Sequence, residues 1–260
     1  MKTGFYNETR FFDFREIINY SAENFGKRPA FIINDNGNYL KITYTELKNR
    51  FYTFSQRLID LKLKGKRIAV IGKNSFEWVL SYLCAAAVGV VVPLDKELCC
   101  EDIRDFMVSA ECSAVFGETA YLEKLKPLLT DDVQCFNFSE VMNMSEPVMP
   151  LQTAEVDAIE ILKDEMQVLI FTSGTTGNAK GVCLSQYNIC SNIHSTVSAV
   201  KINPSDTTMS ILPLHHTYEC TLNCLLLLSR GSCITYCDGL RQIPKNFTEY
   251  HPTVLVVVPA

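Results

Sequence analysis

Hydrophobic positions recur along this chain with two alternating periods. From Thr43 to Leu61, Leu47, Phe51, Phe54 and Leu58 return at helical intervals behind Thr43 and Glu46, a pair with capping-box spacing, and this predicts a helix. After a turn at Lys64-Gly65-Lys66, the apolar, β-branched run Arg67–Ile71 predicts a buried strand. Gly72–Ser75 then opens a helix carrying Trp78, Leu80, Leu83 and Val88, which Gly89 ends, and Val90–Val92 before Pro93 reads as a second buried strand. Strand, helix, strand describes a right-handed parallel crossover. The alternation continues with helices over 101–109 and 121–129 and strands over 114–116 and 133–138. It resumes with a strand over 167–172, a helix over 186–200, a strand over 209–212, a helix over 217–229 and a strand over 233–236. Pro244 suits the first turn of another helix, and Val254–Val258 reads as a last strand. The fold class is therefore α/β, with layered parallel-sheet lobes.

Between Ser139 and Glu165 the periodicity fades, Pro147 and Pro150 appear, and acidic residues outnumber the single Lys163. This predicts lobes over 1–138 and 166–260 joined by an acidic connecting segment over 139–165; a solvated loop inside one domain is the competing reading. The uncharged run Trp78–Leu94 contains Gly89 and Pro93, so it reads as a helix leading into a strand and not as a transmembrane segment. The chain stops at an apolar strand of the kind that normally lies inside a sheet, which reads as truncation.

Composition narrows the class of activity. With 24 Lys+Arg against 29 Asp+Glu, the net charge of −5 argues against general nucleic-acid binding. A hydrophobic fraction of 47% with 20% charged residues is that of an ordinary globular protein. Eleven cysteines without an apolar leader predict reduced thiols and a cytoplasmic location.

The chemistry concentrates at Leu169-Ile170-Phe171-Thr172-Ser173-Gly174-Thr175-Thr176-Gly177-Asn178-Ala179-Lys180-Gly181-Val182. A strand runs into glycines that let backbone N–H groups approach a ligand, hydroxyls that add donors, and one ammonium: a device for holding a polyphosphate. Ala179 and Gly181 stand where a Walker A loop would need Gly and Ser or Thr, so it is not that loop. A second candidate is Leu212-Pro213-Leu214-His215-His216-Thr217-Tyr218-Glu219, two histidines at a strand-to-helix junction. His215, His216, Cys220 and Cys224 admit two readings, a metal site or core packing of the cysteines, and the absence of a paired C-x-x-C favours packing.

Thr172–Gly181 resembles the phosphate loop of the adenylate-forming superfamily, which includes acyl-CoA synthetases, with Ala179 where a Pro is usual. Ile42–Leu47, Lys73–Glu77 and Gly89–Asp95 are similar, in order, to further family segments, so the resemblance covers roughly 14–260. Gln186 stands where the family commonly has His and is given no role. His216 and Tyr218 occupy the family's Pro-x-x-His and aromatic positions, and Glu219 leans toward long-chain fatty-acyl synthetases. The resemblance implies the N-terminal domain fold of these enzymes, incomplete at its C-terminus. It also implies ATP, Mg²⁺ and coenzyme A as cofactors and a small-molecule carboxylate, such as a fatty acid, as substrate. Thr172, Ser173, Gly174, Thr175, Thr176, Gly177 and Lys180 would hold ATP, with Thr172 near the metal. His216, as catalytic residue, and Tyr218 would bind the substrate, and the residues around Leu222–Leu228 would line or support an acyl pocket. The family's Tyr-Gly-x-Thr-Glu segment, ribose-binding Asp and catalytic Lys are not found up to Ala260, so the chain by itself is expected to lack adenylation activity. A carrier-protein thiol as acceptor, or a non-catalytic nucleotide- or acyl-binding module, are the alternatives.

Overall fold

The structure is a computed structural model that describes residues 8–35, 37–172 and 180–258. In chain order its elements are α1 (Phe14–Phe25), β1 (Pro29–Asp35), β2 (Asn38–Thr43), α2 (Tyr44–Asp60), β3 (Arg67–Ile71), α3 (Phe76–Val88), β4 (Val90–Leu94), α4 (Cys100–Ser109), β5 (Cys112–Gly117) and α5 (Thr119–Leu125). There follow β6 (Gln134–Asn137), α6 (Phe138–Met144), α7 (Ala154–Asp157), β7 (Val168–Thr172), β8 (Lys180–Leu184), α8 (Gln186–Ala199), β9 (Thr207–Ser210), α9 (Leu226–Ser229), β10 (Cys233–Tyr236) and α10 (Ile243–Tyr250). A π-helical stretch, Glu219–Leu225, precedes α9.

The chain forms two compact units, one from 1–48 with 187–260 and one from 49–186. The middle unit holds a six-stranded sheet of order β6-β5-β3-β4-β7-β8, parallel except for the β7/β8 pair at its edge. Its β3–α3–β4 crossover is the predicted one, with Arg67 opposite Val90. Every residue of α3 but Glu77 is buried, so its apolar circumference packs inside the protein, and Trp78 stacks on Tyr82 at 5.4 Å. Ser75 caps it by accepting a hydrogen bond from the Trp78 N–H at 3.2 Å. Its last carbonyls are also satisfied: Ala85 by the N–H of Gly89, Ala86 by the side chain of Gln186 and Val88 by the N–H of Gly65. A Cβ at Gly89 would lie 2.3 Å from the Lys66 carbonyl oxygen, so only glycine fits where the helix turns into β4. Ser75→Ala removes the cap and is expected to cost about 1 kcal/mol, read as a lower urea midpoint at unchanged slope.

The other unit is built from both flanks of the chain, with sheet order β2-β1-β10-β9. The β1/β2 edge pair is antiparallel, while β1/β10 and β10/β9 are parallel. α1 starts at an Asp13 cap that accepts from the Glu16 N–H at 2.8 Å, and its Ser21 hydroxyl donates to the Leu228 carbonyl. Tyr44 donates its hydroxyl to the Ser232 carbonyl at 2.6 Å.

This grouping differs from lobes over 1–138 and 166–260. The acidic stretch 139–165 falls inside the middle unit, because β7 beyond it pairs with β4, Val168 opposite Val91. The stretch also contains α6, closed by a capping box in which Asn137 and Glu140 bind each other's backbone N–H. Elsewhere the predicted helix 121–129 is α5 followed by a 3-10 turn over Lys126–Leu128, and the strand placed at 209–212 lies at 207–210. Val254–Val258 is not a strand: a single parallel bridge joins Val254 to Thr208, and Val257 and Val258 are each 58% exposed. β-branched side chains favour extended backbone, but a strand needs a partner ladder along its length. Among the described residues, no helix is long and apolar enough to cross a membrane. All eleven cysteines are free.

Candidate functional site

β7 and β8 form a hairpin whose last pair sets Thr172 opposite Lys180. Ser173, Gly174, Thr175, Thr176 and Gly177 lie between them, outside the described residues. Both flanking residues are exposed, and the Thr172 hydroxyl donates to the Lys180 carbonyl at 3.4 Å. One residue inward, the Phe171 ring stacks on Phe106 of α4 with centroids 4.5 Å apart, and Leu169 packs in the core beneath the sheet. The sequence thus fixes the hairpin by its buried positions and leaves one hydroxyl and one ammonium at its neck. Because β7 runs parallel to β4, the loop leaves the carboxyl end of the strands, where open α/β sheets present their ligand crevices. β8 itself escapes a pattern reading, since Lys180 to Cys183 are all exposed.

In the other unit, β9 ends at Ser210 and the chain runs through Ile211–Tyr218 before re-entering a helix. Leu214 is buried, His216 is exposed and Tyr218 is 47% exposed. The His216 N–H reaches back to the Pro213 carbonyl at 3.0 Å, and the His216 carbonyl accepts from the Cys220 N–H at 3.1 Å, which begins the next helical turn. The His215 and His216 rings lie 4.2 Å apart. Thr172 and Lys180 are thus brought together on one hairpin, and His216 and Tyr218 on one junction of the other unit.

Below that junction lies a group that the sequence pointed to only weakly. Glu219 is fully buried; its Oε1 accepts from the Ser210 hydroxyl at 2.5 Å and from the Asn223 amide at 2.7 Å, while its Oε2 has no partner. Burial pushes the Glu219 carboxyl up to about 7, although both hydrogen bonds pull it the other way. The available signal was two polar residues four apart, Glu219 and Asn223, inside a leucine-rich helix.

The remaining candidates are mostly buried. Leu225–Leu228 are buried in the core, and Leu222 is half-buried. Cys220 and Cys224 are buried, and burial raises the Cys224 thiol well above its ordinary range. Among the described residues, no group of three or more His, Cys, Asp or Glu side chains is placed to hold a metal ion. Gln186, where a His is common, is buried; its N–H donates to the Gln167 side chain and its amide to the Ala86 carbonyl.

Comparison with known proteins places these features. Residues 18–260 match the family model described as AMP-binding enzyme. A CoA ligase of Gibberella moniliformis is 27% identical, covering 86% of this chain and 37% of its own length. The human long-chain-fatty-acid–CoA ligase 1 is 32% identical, over 74% of this chain and 31% of its own. A chloroplastic long-chain-fatty-acid–[acyl-carrier-protein] ligase of Arabidopsis thaliana is 26% identical, over 94% and 37%. The chain thus spans about a third of the length of these relatives. The inhibitor-bound N-terminal domain of FACL13 from Mycobacterium tuberculosis superposes with a TM-score of 0.83 at 18% identity, covering 96% of this chain and 63% of that one. This chain therefore belongs to the AMP-binding enzyme family and has the α/β fold of the N-terminal domain of adenylate-forming enzymes.

Proposed function

We propose that this chain is the phosphate-holding part of an AMP-forming acid–thiol ligase acting on a fatty acid. The observation that carries the reading is the β7/β8 neck, where the Thr172 hydroxyl and the Lys180 ammonium flank a glycine-hydroxyl loop inside the region matched by the family. In the first step a carboxylate oxygen bonds to the α-phosphorus of ATP, the bond to the β-phosphate oxygen breaks, and pyrophosphate leaves. In the second, a thiol sulfur bonds to the acyl carbon, the bond to AMP breaks, and the thiol proton passes to solvent. Lys180 and the loop of Ser173, Gly174, Thr175, Thr176 and Gly177 hold the β- and γ-phosphates and stabilise the charge that gathers on the leaving group. The Thr172 hydroxyl is an oxygen donor that suits Mg²⁺, which supplies further charge neutralisation when bound. His216 and Tyr218, exposed at their junction, are assigned to the carboxylate.

Similarity to long-chain-fatty-acid–CoA ligases supports a fatty acid and coenzyme A. The second reading, an acyl-carrier-protein thiol as acceptor, draws on the Arabidopsis relative. Free thiols at all eleven cysteines support a cytoplasmic setting.

Calorimetric titration with Mg²⁺–ATP and with Mg²⁺–pyrophosphate tests the phosphate assignment. Both should bind the chain, and Lys180→Ala should weaken each by about 10- to 100-fold, the worth of one hydrogen bond to a charged group. Equal affinity in the variant would remove Lys180 from the site. The ligase reading itself rests on carboxylate-dependent ATP–pyrophosphate exchange by a protein that carries this chain together with its relatives' further length. No exchange with any fatty acid tested would reject it.

A further inference from the structure

The segment bearing His216 and Tyr218 leaves β9 at Ser210 and re-enters a helix at Glu219. These two residues, nine positions apart, are joined by the hydrogen bond from Ser210 Oγ to Glu219 Oε1. Asn223 donates to the same oxygen, and its own Oδ1 accepts from the Thr208 hydroxyl at 2.5 Å. Thr208 in turn belongs to β9, at the edge of the sheet, its carbonyl accepting from the Thr235 hydroxyl of the neighbouring β10 at 2.9 Å. All four side chains, Thr208, Ser210, Glu219 and Asn223, are buried.

A carboxyl group is costly to bury, and a core that only needed filling would use leucine there, as Leu225–Leu228 do a turn later. The helical form is unusual at the same place. Glu219–Leu225 is π-helical, with the Leu226 N–H reaching the Thr221 carbonyl five residues back. Both Glu219 and Asn223 of this stretch bond to β9, one to Ser210 and one to Thr208. The polar network and the π-helical stretch thus coincide where the His216 segment must be anchored.

We propose that Glu219 is a positioning residue: with Ser210 and Asn223 it closes the neck of the loop Ile211–Tyr218 and presents His216 and Tyr218 from a fixed base. What those two side chains then do rests on the reading given under Proposed function; the closure of the neck does not.

Hydrogen–deuterium exchange on the 260-residue chain without ligand tests this, using peptides from 211–218 and, as an internal control, from β10. Ser210→Ala and Glu219→Ala should each speed exchange in 211–218 about tenfold while β10 keeps its protection, as expected for loss of one hydrogen bond that gates a local opening. Glu219→Gln, which keeps both the volume and the acceptor oxygen, should stay within about twofold of the parent, and Ser210→Ala, which leaves residue 219 untouched, separates the hydrogen bond from a role in filling space. If Glu219→Ala also deprotects β10, the milder Ser210→Ala decides. Parent-like exchange in Ser210→Ala overturns the proposal, and so does a Glu219→Gln variant as fast as Glu219→Ala. Because no ligand enters the measurement, a failed exchange or binding assay, which would count against the ligase reading, leaves this result standing.

Discussion

Gly231→Ala should destabilise the unit built on the four-stranded sheet by about 3–5 kcal/mol, whereas Gly65→Ala should cost only about 1 kcal/mol. Both glycines have positive φ, +77° and +72°. Both substitutions therefore pay for placing a side chain in the left-handed region, about 1 kcal/mol. They differ in what the new methyl group meets. At Gly65 nothing lies within 4 Å. At Gly231 the added Cβ would lie 2.4 Å from Cγ of Phe25 and 2.6 and 2.7 Å from its two Cδ atoms, inside the van der Waals radius of the ring. The ring has little room to retreat. It packs against Tyr20 and Tyr44, and the Tyr44 hydroxyl is tied to the Ser232 carbonyl, next to Gly231 itself. The turn is equally constrained, since the N–H groups of Gly231 and Ser232 close it onto the Leu228 and Leu227 carbonyls. Urea unfolding of the two variants checks the difference; equal losses would show that conformation alone, and not the Phe25 contact, sets the requirement for glycine.

How far the fold is legible in the sequence depends on where each element sits in its sheet. β3, α3, β4 and β10 are buried, so their apolar runs are continuous and the ends of α3 are marked by Ser75 and Gly89, although β4 runs on through Pro93 to Leu94. β2 and β8 are edge strands whose side chains are mostly exposed, and backbone pairing leaves no hydrophobic alternation to read. The capping box at Asn137 and Glu140 is a readable helix start, but it opens an acidic stretch whose composition resembles a linker. The pairing of β1 with β10, Phe31 opposite Ile234, joins distant parts of the chain, and no local pattern encodes it. A division into consecutive lobes therefore could not anticipate a unit made from both flanks.

The candidate site divides the same way. Thr172 and Lys180 were legible because glycines and hydroxyls in that order have a chemical purpose, and their pairing across a hairpin adds a geometry that spacing alone did not give. His216 and Tyr218 were found through family resemblance, since an isolated histidine pair is ambiguous. Glu219 is singled out in the sequence only by its resemblance to long-chain fatty-acyl synthetases, with no role attached. Its significance lies in Ser210 and Asn223, and a hydrogen bond between a strand end and a helix start has no signature in either segment alone.

Replacing Glu219 by Gln should flatten the pH dependence of stability by about 3 kcal/mol between pH 4.5 and pH 8. The sign follows from the direction of the shift. Burial raises the folded-state carboxyl from 4.5 to about 7, so across that interval the folded chain holds a proton that the unfolded chain has released. Stability from this group is therefore fully present below about pH 4.5 and is lost as pH rises through about 7. Other groups nearby do not share the signature: burial raises the Cys224 thiol well above its ordinary range, so it stays protonated throughout. Titrations common to both proteins cancel when the variant is subtracted from the parent. Gln keeps an oxygen for Ser210 and Asn223 but has no charge to desolvate. The two proteins should accordingly match near pH 5, and the variant should become the more stable one by pH 8. Urea midpoints measured at half-unit steps give the difference curve directly. A flat difference would mean that water reaches Oε2 and keeps the carboxyl near its ordinary range, which would weaken the case for a dry, rigid base under the His216 segment. A curve rising with its midpoint between 4.5 and 7 would establish Glu219 as a neutral, buried acceptor at mildly acidic pH and a strained carboxylate above it. Any activity measured across that range should be interpreted with that change in mind.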